Sequence, residues 1–119
     1  MVQAFDIEIS SLDPRGVVVA VTGDIDLFTT PEFKQAVAEA MSRDAEAMII
    51  DLSRSTFMDS SSLGVLIGAH RRLTRRGRSL TVVCHNEAIR KVLRVTGLDG
   101  VFEVVDALPG VPARAVPTG

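Results

Sequence analysis

Tryptophan and tyrosine are absent from this chain of 119 residues, and cysteine occurs once, as Cys84. A single cysteine excludes an intramolecular disulfide and a zinc site built from several cysteines. The sequence also lacks a run of about 20 apolar residues, the length that spans a bilayer. Residues 1–10 carry acidic side chains and no long apolar stretch, unlike a secretory signal. We therefore expect a cytoplasmic protein without a membrane segment.

The charge balance is slightly acidic, with a formal net charge of −2 and a pI near 5.6. A general nucleic-acid binder usually has a net basic domain, so direct nucleic-acid binding is not expected. Hydrophobic residues make up 46% of the chain and charged residues 24%, an ordinary globular balance. A chain of this length fits one domain whose core is filled mainly by aliphatic side chains.

Patterns of apolar residues predict β-strands along most of the chain. Apolar and polar residues alternate over residues 5–10, which predicts a half-buried edge strand. Residues 13–16 carry a turn signal. A continuous apolar run predicts a strand at residues 17–21, and an isoleucine-rich, largely apolar run predicts a buried strand at 47–52. Two further strands are predicted at residues 80–84 and 101–105.

Helix signals separate most of these strands. Thr29-Thr30-Pro31-Glu32 predicts a helix start, with a threonine hydroxyl as the cap. A second helix is expected from the serines near residue 60 to Gly77, and a third from Asn86 to Gly97. This order predicts an α/β fold with a mixed, mostly parallel sheet of about five strands, the first strand adding an antiparallel edge. We expect a domain over residues 1–108 and an irregular, proline-rich tail over 109–119.

The most informative segment is residues 57–64, Phe-Met-Asp-Ser-Ser-Ser-Leu-Gly, between a predicted strand and a predicted helix. Serine hydroxyls at that position can cap free main-chain N–H groups. The same helix terminus favours an anion, so it can also hold a phosphate carrying about −1.5 to −2 charges. Capping and phosphorylation are both open from the residues alone.

The segment resembles the anti-sigma-factor antagonists of the STAS domain family, a domain also found in sulfate transporters. Residues 57–61 and 63–64 match the family motif, and Ser62 stands where the family has glycine, which we expect to stiffen the loop. Residues 22–26 resemble a second family element that places its acidic residue at Asp26. Residues 90–93 and 96–98 resemble the third helix and its exit turn, so the likeness covers roughly residues 5–106.

The resemblance implies a binding module that catalyses nothing and needs no cofactor or metal. The unphosphorylated form would bind an anti-sigma factor that is also a serine kinase, and so free a sigma factor. The kinase would then phosphorylate Ser60 with ATP, and a serine phosphatase would restore the active form. Asp26 and Asp59 would shape the charge around Ser60, and the contact surface would include Ser61, Ser62, Leu63 and Gly64.

An enzymatic role for Ser60 would need a base within hydrogen-bond reach. The two histidines are His70 and His85. His70 falls about ten residues along the same predicted helix, roughly 15 Å away, where a core or interface role is expected. His85 follows a strand. Hydrolase chemistry is therefore not expected, and a nucleotide-binding or scaffold module of a stress-signalling assembly is the second hypothesis, although the chain has no P-loop.

Two charged groups have alternative interpretations. Asp24, Asp26 and Asp59 could gather at one end of the sheet and bind a hard cation, but loop carboxylates are more often turn and cap residues, so no metal is expected. A dense basic run could be a solvated helix face, a nucleic-acid surface without stacking aromatics, or a patch for an acidic protein partner. The run comprises Arg71, Arg72, Arg75, Arg76 and Arg78.

Overall fold

The β-strands of the chain join in a single sheet, with the helices between them in sequence. A computed structural model describes residues 4–12 and 15–107. In chain order its elements are β1 (Asp6–Leu12), β2 (Gly16–Thr22), α1 (Thr30–Met41), β3 (Ala47–Arg54), α2 (Ser60–Arg75), β4 (Ser79–Val83), α3 (Glu87–Val95), a short 3-10 helix (Leu98–Gly100) and β5 (Glu103–Val105). The predicted turn residues 13 and 14 and the predicted tail lie outside the described residues.

The sheet has five strands in the order β1-β2-β3-β4-β5. β1 pairs antiparallel with β2, and every other pairing is parallel. Side chains of β1 alternate between exposed and half-buried, as period-two patterning requires of an edge strand. β2 and β3 are mostly buried, which matches the apolar run of β2 and the largely apolar first half of β3. The predicted α/β class and mixed sheet are confirmed.

The main core lies between one face of the sheet and the three helices. Phe33 of α1, Leu66 of α2 and Leu93 of α3 are completely buried in one cluster with strand residues such as Ile50 and Val82. A smaller cluster of Val18, Ile49 and Val83 occupies the opposite face. Replacing a large core residue such as Phe33 with alanine costs about 3–5 kcal/mol in general.

The helix ends agree with the sequence at three positions. The side chain of Asn86 accepts a hydrogen bond of 3.1 Å from the main-chain nitrogen of Ile89 and caps α3. Gly77 and Gly97 follow α2 and α3 and have φ angles of +69° and +76°. Glycine suits both positions because a residue with a Cβ atom is disfavoured in that left-handed conformation.

Two local predictions were wrong. Thr29 is the residue before α1, but its hydroxyl makes no capping hydrogen bond; it donates instead to the main-chain oxygen of Asp24 at 2.9 Å. The last strand is shorter than residues 101–105, because Val101 ends the 3-10 helix and Phe102 turns into the core.

None of the helices within residues 4–12 and 15–107 has both the length and the apolar character needed to cross a membrane.

Candidate functional site

Two loops meet at the carboxyl ends of the parallel strands. The β2–α1 loop (residues 23–29) and the β3–α2 loop (residues 55–59) join through an isolated parallel bridge between Ile25 and Met58. Ile25 donates its main-chain N–H to the oxygen of Phe57 at 2.9 Å, and its oxygen accepts from the nitrogen of Asp59 at 3.2 Å. Adjacent parallel strands place their exit loops side by side, so these are the two loops expected to carry the site.

Asp59 sets the start of α2. Its backbone is extended, with φ −103° and ψ 178°, and its carboxylate accepts a hydrogen bond of 3.0 Å from the main-chain nitrogen of Ser61. An N-cap aspartate satisfies one of the main-chain donors that a helix leaves unpaired at its first turn. Of the two roles that the sequence left open for the serines, helix capping is therefore filled by the aspartate that precedes them.

The three consecutive serines have three different environments. Ser60 is exposed, and its hydroxyl has no hydrogen-bond partner among the residues that the structure describes. Ser61 is also exposed, but its hydroxyl donates to the Asp59 carboxylate and lies 3.0 Å from the hydroxyl oxygen of Thr30. Ser62 is 0% exposed and donates to the main-chain oxygen of Asp59 at 2.7 Å. Of the three hydroxyls, that of Ser60 is the one left free for a reaction.

Ser62 does not act as the sequence suggested. It is the third residue of α2, so it lies in the helix and cannot stiffen the preceding loop. Ser62 and Leu63 are 0% and 8% exposed, which corrects their expected place on the contact surface. Ser61 and Gly64 are exposed, as a contact surface requires.

Asp26 organises the neighbouring helix start. Its carboxylate accepts hydrogen bonds from the main-chain nitrogens of Phe28 at 2.9 Å and Thr29 at 3.0 Å. Asp24 accepts from the hydroxyl of Thr56 at 2.8 Å. The three aspartates expected near the site therefore have separate partners. No group of three or more histidine, cysteine or acidic residues that could hold a metal ion occurs within residues 4–12 and 15–107.

Exposed apolar side chains accompany the polar ones at this end of the sheet, and the sequence had not singled them out as a surface. Leu27 is 68% exposed, Phe28 is 88% exposed and Phe57 is 47% exposed. Large apolar groups gathered on a surface often mark a site of protein contact. The signal in the sequence was the Leu27-Phe28 pair, two adjacent large apolar residues in a loop that carries two aspartates.

The two histidines lie on α2 and in the connection after β4. His70 is half-buried on α2, and its ring centroid is 6.1 Å from that of Phe102. His85 is exposed in the connection after β4. Neither makes a side-chain hydrogen bond to Ser60 in the described part of the chain.

Cys84 is buried, and its thiol lies 3.6 Å from the main-chain oxygen of Asn86. Burial raises the pKa of this thiol above its usual range, and the hydrogen bond to Asn86 opposes that effect only in part. A thiol that stays protonated is a poor nucleophile, so Cys84 has a packing role.

The comparisons with known proteins give a consistent result. The family model described as "STAS domain" matches residues 6–109. The chain is 31% identical over 98 residues to the anti-sigma-B factor antagonist of Listeria monocytogenes, covering 82% of this chain and 86% of that protein. It is 31% identical over 112 residues to the anti-sigma-F factor antagonist RsfB of Mycobacterium tuberculosis, covering 88% and 89%.

Solved structures agree with this result. An anti-sigma factor antagonist from Mycobacterium paratuberculosis superimposes with a TM-score of 0.83 at 29% identity, over 89% of each chain. The unphosphorylated form of the anti-sigma factor antagonist SpoIIAA superimposes with a TM-score of 0.72 at 21% identity, over 84% of this chain and 88% of that one. This second likeness concerns the fold alone.

Proposed function

The chain belongs to the STAS domain family, and from this premise we propose that it is an anti-sigma-factor antagonist switched by phosphorylation of Ser60. Two relatives that are 31% identical to it over most of their length are named anti-sigma factor antagonists, which supports the first part of the proposal. In this proposal the unphosphorylated chain binds an anti-sigma factor serine kinase and so releases a sigma factor.

The observation that carries the proposal is the environment of Ser60. Its side chain is exposed at the first position of α2, and its hydroxyl has no hydrogen-bond partner in the described part of the chain, while both neighbouring serine hydroxyls are hydrogen-bonded. A kinase can reach such a hydroxyl without breaking a hydrogen bond of the domain. The helix terminus also accommodates the product, because main-chain N–H groups and the helix dipole favour an anion there.

The chemical step is a phosphoryl transfer catalysed by the partner. The Ser60 oxygen would form a bond to the γ-phosphorus of ATP as the bond to the β-phosphate oxygen breaks, and the hydroxyl proton would leave to a base of the kinase. The added phosphate brings about −1.5 to −2 charges next to the Asp59 carboxylate. A partner surface fitted to a neutral hydroxyl would have to bury this charge without a counter-ion, which costs several kcal/mol.

The remaining features of the proposal follow from this role. Asp59 and Asp26 fix the two loops around Ser60, and Ser61 and Gly64 lie on the contact surface. The exposed Phe28 and Phe57 supply apolar area of the kind that anchors protein interfaces. A serine phosphatase restores the active form. The domain catalyses no reaction itself and works in the cytoplasm, where sigma factors act.

A reconstituted sigma-release assay tests the proposal. The chain is added to a preformed complex of the host's sigma factor and anti-sigma factor, and free sigma factor is measured by size-exclusion chromatography. We expect release by the wild-type chain, loss of release after incubation with ATP, and ATP-insensitive release by Ser60→Ala. If the host's anti-sigma factors all fail to bind the wild-type chain, the proposed function is wrong.

A further inference from the structure

A groove of about 380 Å³ runs along the surface between α1 and α2, next to the proposed phosphoacceptor. The hydroxyl residues Thr30 and Ser61 lie at its start, two glycines line the α2 side, and two basic residues belong to its rim. The residues that matter for its chemistry are Thr30, Lys34, Ser61, Gly64, Gly68 and Arg72. The groove is not needed to explain phosphorylation.

The glycines keep the groove open. A Cβ atom built on Gly64 or on Gly68 would meet no atom within 4 Å, so both positions border open space. Their absent side chains expose the main chain of α2, against which another chain can pack closely. Val37 and Ala69, which also line the groove, are buried and form an apolar floor. Such a surface suits a segment of polypeptide that places small apolar side chains inward.

The rim is positively charged without internal compensation. Lys34 and Arg72 are exposed, and neither forms a salt bridge with a carboxylate in the described part of the chain. Arg72 and Arg76 also line an adjoining hollow, together with the acidic residue Asp44. By contrast, Arg78 is already paired with Asp44 at 2.7 Å. The whole chain carries a net charge of −2, so this potential is local to the α1–α2 face.

The groove is continuous with the phosphorylation site. Ser61, at its start, directly follows Ser60, and Arg72 lies eleven residues farther along α2. At 1.5 Å per residue the two ends are about 16 Å apart. At physiological salt, ions screen the interaction between exposed charges over a distance of about 8 Å. A phosphate on Ser60 would therefore act mainly on the near half of the groove.

We propose that this groove binds an acidic segment of the anti-sigma factor, an inference that rests on the proposed function. Lys34 and Arg72 attract the segment, Gly64 and Gly68 let it approach the main chain, and a phosphate on Ser60 repels its near end. Phosphorylation would then weaken binding in two ways. The partner no longer fits at Ser60, and the electrostatic potential at the entrance to the groove changes from positive to negative. Nucleic acid fits less well, because none of the groove residues is aromatic and the net charge is negative.

A zero-length cross-linking experiment tests the location. Lys34 and Lys91 are the only lysines in the chain, and Lys91 is exposed on α3, away from the groove. The purified anti-sigma factor is mixed with the full chain and treated with a carbodiimide, which joins lysine amines to carboxylates in contact. We expect mass spectrometry to find Lys34 joined to an aspartate or glutamate of the anti-sigma factor. Linkage through Lys91 alone would overturn the proposal.

Charge reversal tests the energetics. The variant Lys34→Glu/Arg72→Glu is compared with Arg43→Glu/Lys91→Glu, which makes the same change of charge at exposed residues that do not line the groove. We expect the groove variant to lose tenfold or more in affinity for the anti-sigma factor and most of its salt dependence, while the control changes less than threefold. Equal melting temperatures establish that both variants are folded.

The outcomes separate the groove from the proposed function. If both variants bind the anti-sigma factor like the wild type, and adding Ser60→Asp to each still lowers that affinity, the groove proposal is wrong and the proposed function stands. If the wild-type chain binds no anti-sigma factor, the function itself fails. If the groove variant instead loses affinity for a random duplex oligonucleotide while keeping the protein partner, the groove is a nucleic-acid site and the proposal is overturned.

Discussion

The hydroxyl oxygens of Thr30 and Ser61 lie 3.0 Å apart and join the first residue of α1 to the second residue of α2. The Thr30 hydroxyl is also 2.7 Å from the main-chain oxygen of Asp26, and the Ser61 hydroxyl contacts the carboxylate of Asp59. The two hydroxyl groups of Thr30 and Ser61 have one donor proton each but take part in three contacts. At any moment, therefore, only two of the three contacts can be hydrogen bonds with a proton of their own. This shared network links both helix starts beside Ser60.

Thr30→Val tests this network, because valine keeps the shape of threonine and removes the hydroxyl. The net value of one such hydrogen bond is about 0.5–1.5 kcal/mol. We expect the free energy of unfolding, measured by urea denaturation, to fall by about 1 kcal/mol. The control is Thr74→Val, at an exposed threonine of α2 whose side chain makes no hydrogen bond in the described part of the chain. Equal stability of the two variants would contradict the network.

Phosphorylation should occur at a single residue. The Ser60 hydroxyl is exposed and free, whereas those of Ser61 and Ser62 are engaged. After incubation with the cognate kinase and ATP, intact-mass spectrometry should show one added phosphate, and phosphopeptide mapping should place it on Ser60. Phosphate found only on Ser61, Ser62 or Thr56 would refute the assignment.

The variants Ser60→Asp and Ser60→Ala should differ in binding and hardly in folding. The Ser60 hydroxyl caps nothing, so its removal should change stability by less than about 0.5 kcal/mol. Aspartate at the start of α2 gains about 0.3–1 kcal/mol from the helix dipole, and repulsion from Asp59 reduces that gain.

Burial of the aspartate charge at the partner interface should weaken binding ten- to a hundredfold relative to Ser60→Ala. This range corresponds to a loss of about 1.4 to 2.8 kcal/mol of binding free energy, because each 1.4 kcal/mol is a factor of ten in affinity. Calorimetry with the anti-sigma factor measures this ratio. Equal affinities would remove the electrostatic switch even if Ser60 is phosphorylated.

Asp59→Ala should destabilise the domain, because it removes the cap of α2. Loss of an N-cap side chain costs about 1 kcal/mol, and for a domain of this size that lowers the melting temperature by about 4 °C. Asp59→Asn keeps an acceptor oxygen for the Ser61 nitrogen and should recover most of the loss. A melting temperature of Asp59→Ala equal to that of the wild type would show that the cap contributes nothing.

Stability should fall at alkaline pH in a way that depends on Cys84. Burial raises the pKa of the folded thiol, so above about pH 8.5 the unfolded chain loses this proton while the folded chain retains it. Unfolding is then favoured as the pH rises. The decrease in melting temperature between about pH 7.5 and pH 9.5 should be larger for the wild type than for Cys84→Ala. The folded thiol should also react at least tenfold more slowly with a disulfide reagent than the urea-unfolded chain.

The sequence determined the architecture. Period-two alternation in β1 and the largely apolar runs in β2 and β3 are enough to specify an edge strand beside buried ones, because side-chain burial follows the strand period. Asn86 and Gly97 fixed the ends of α3 through chemistry that lies within a few residues. The segment from Phe57 to Gly64 indicated the candidate site by its likeness to a family motif.

The tertiary structure alone decided the role of each side chain. Which hydroxyl is free among Ser60, Ser61 and Ser62 depends on the helical turn that buries Ser62 and on the approach of Thr30 from a distant part of the chain. The pairing of Arg78 with Asp44 and the hydrogen bond from Thr56 to Asp24 depend in the same way on how loops and helix ends from distant parts of the chain meet. The groove between α1 and α2 exists only once both helices pack on the sheet, since no local pattern records the distance between residues thirty positions apart.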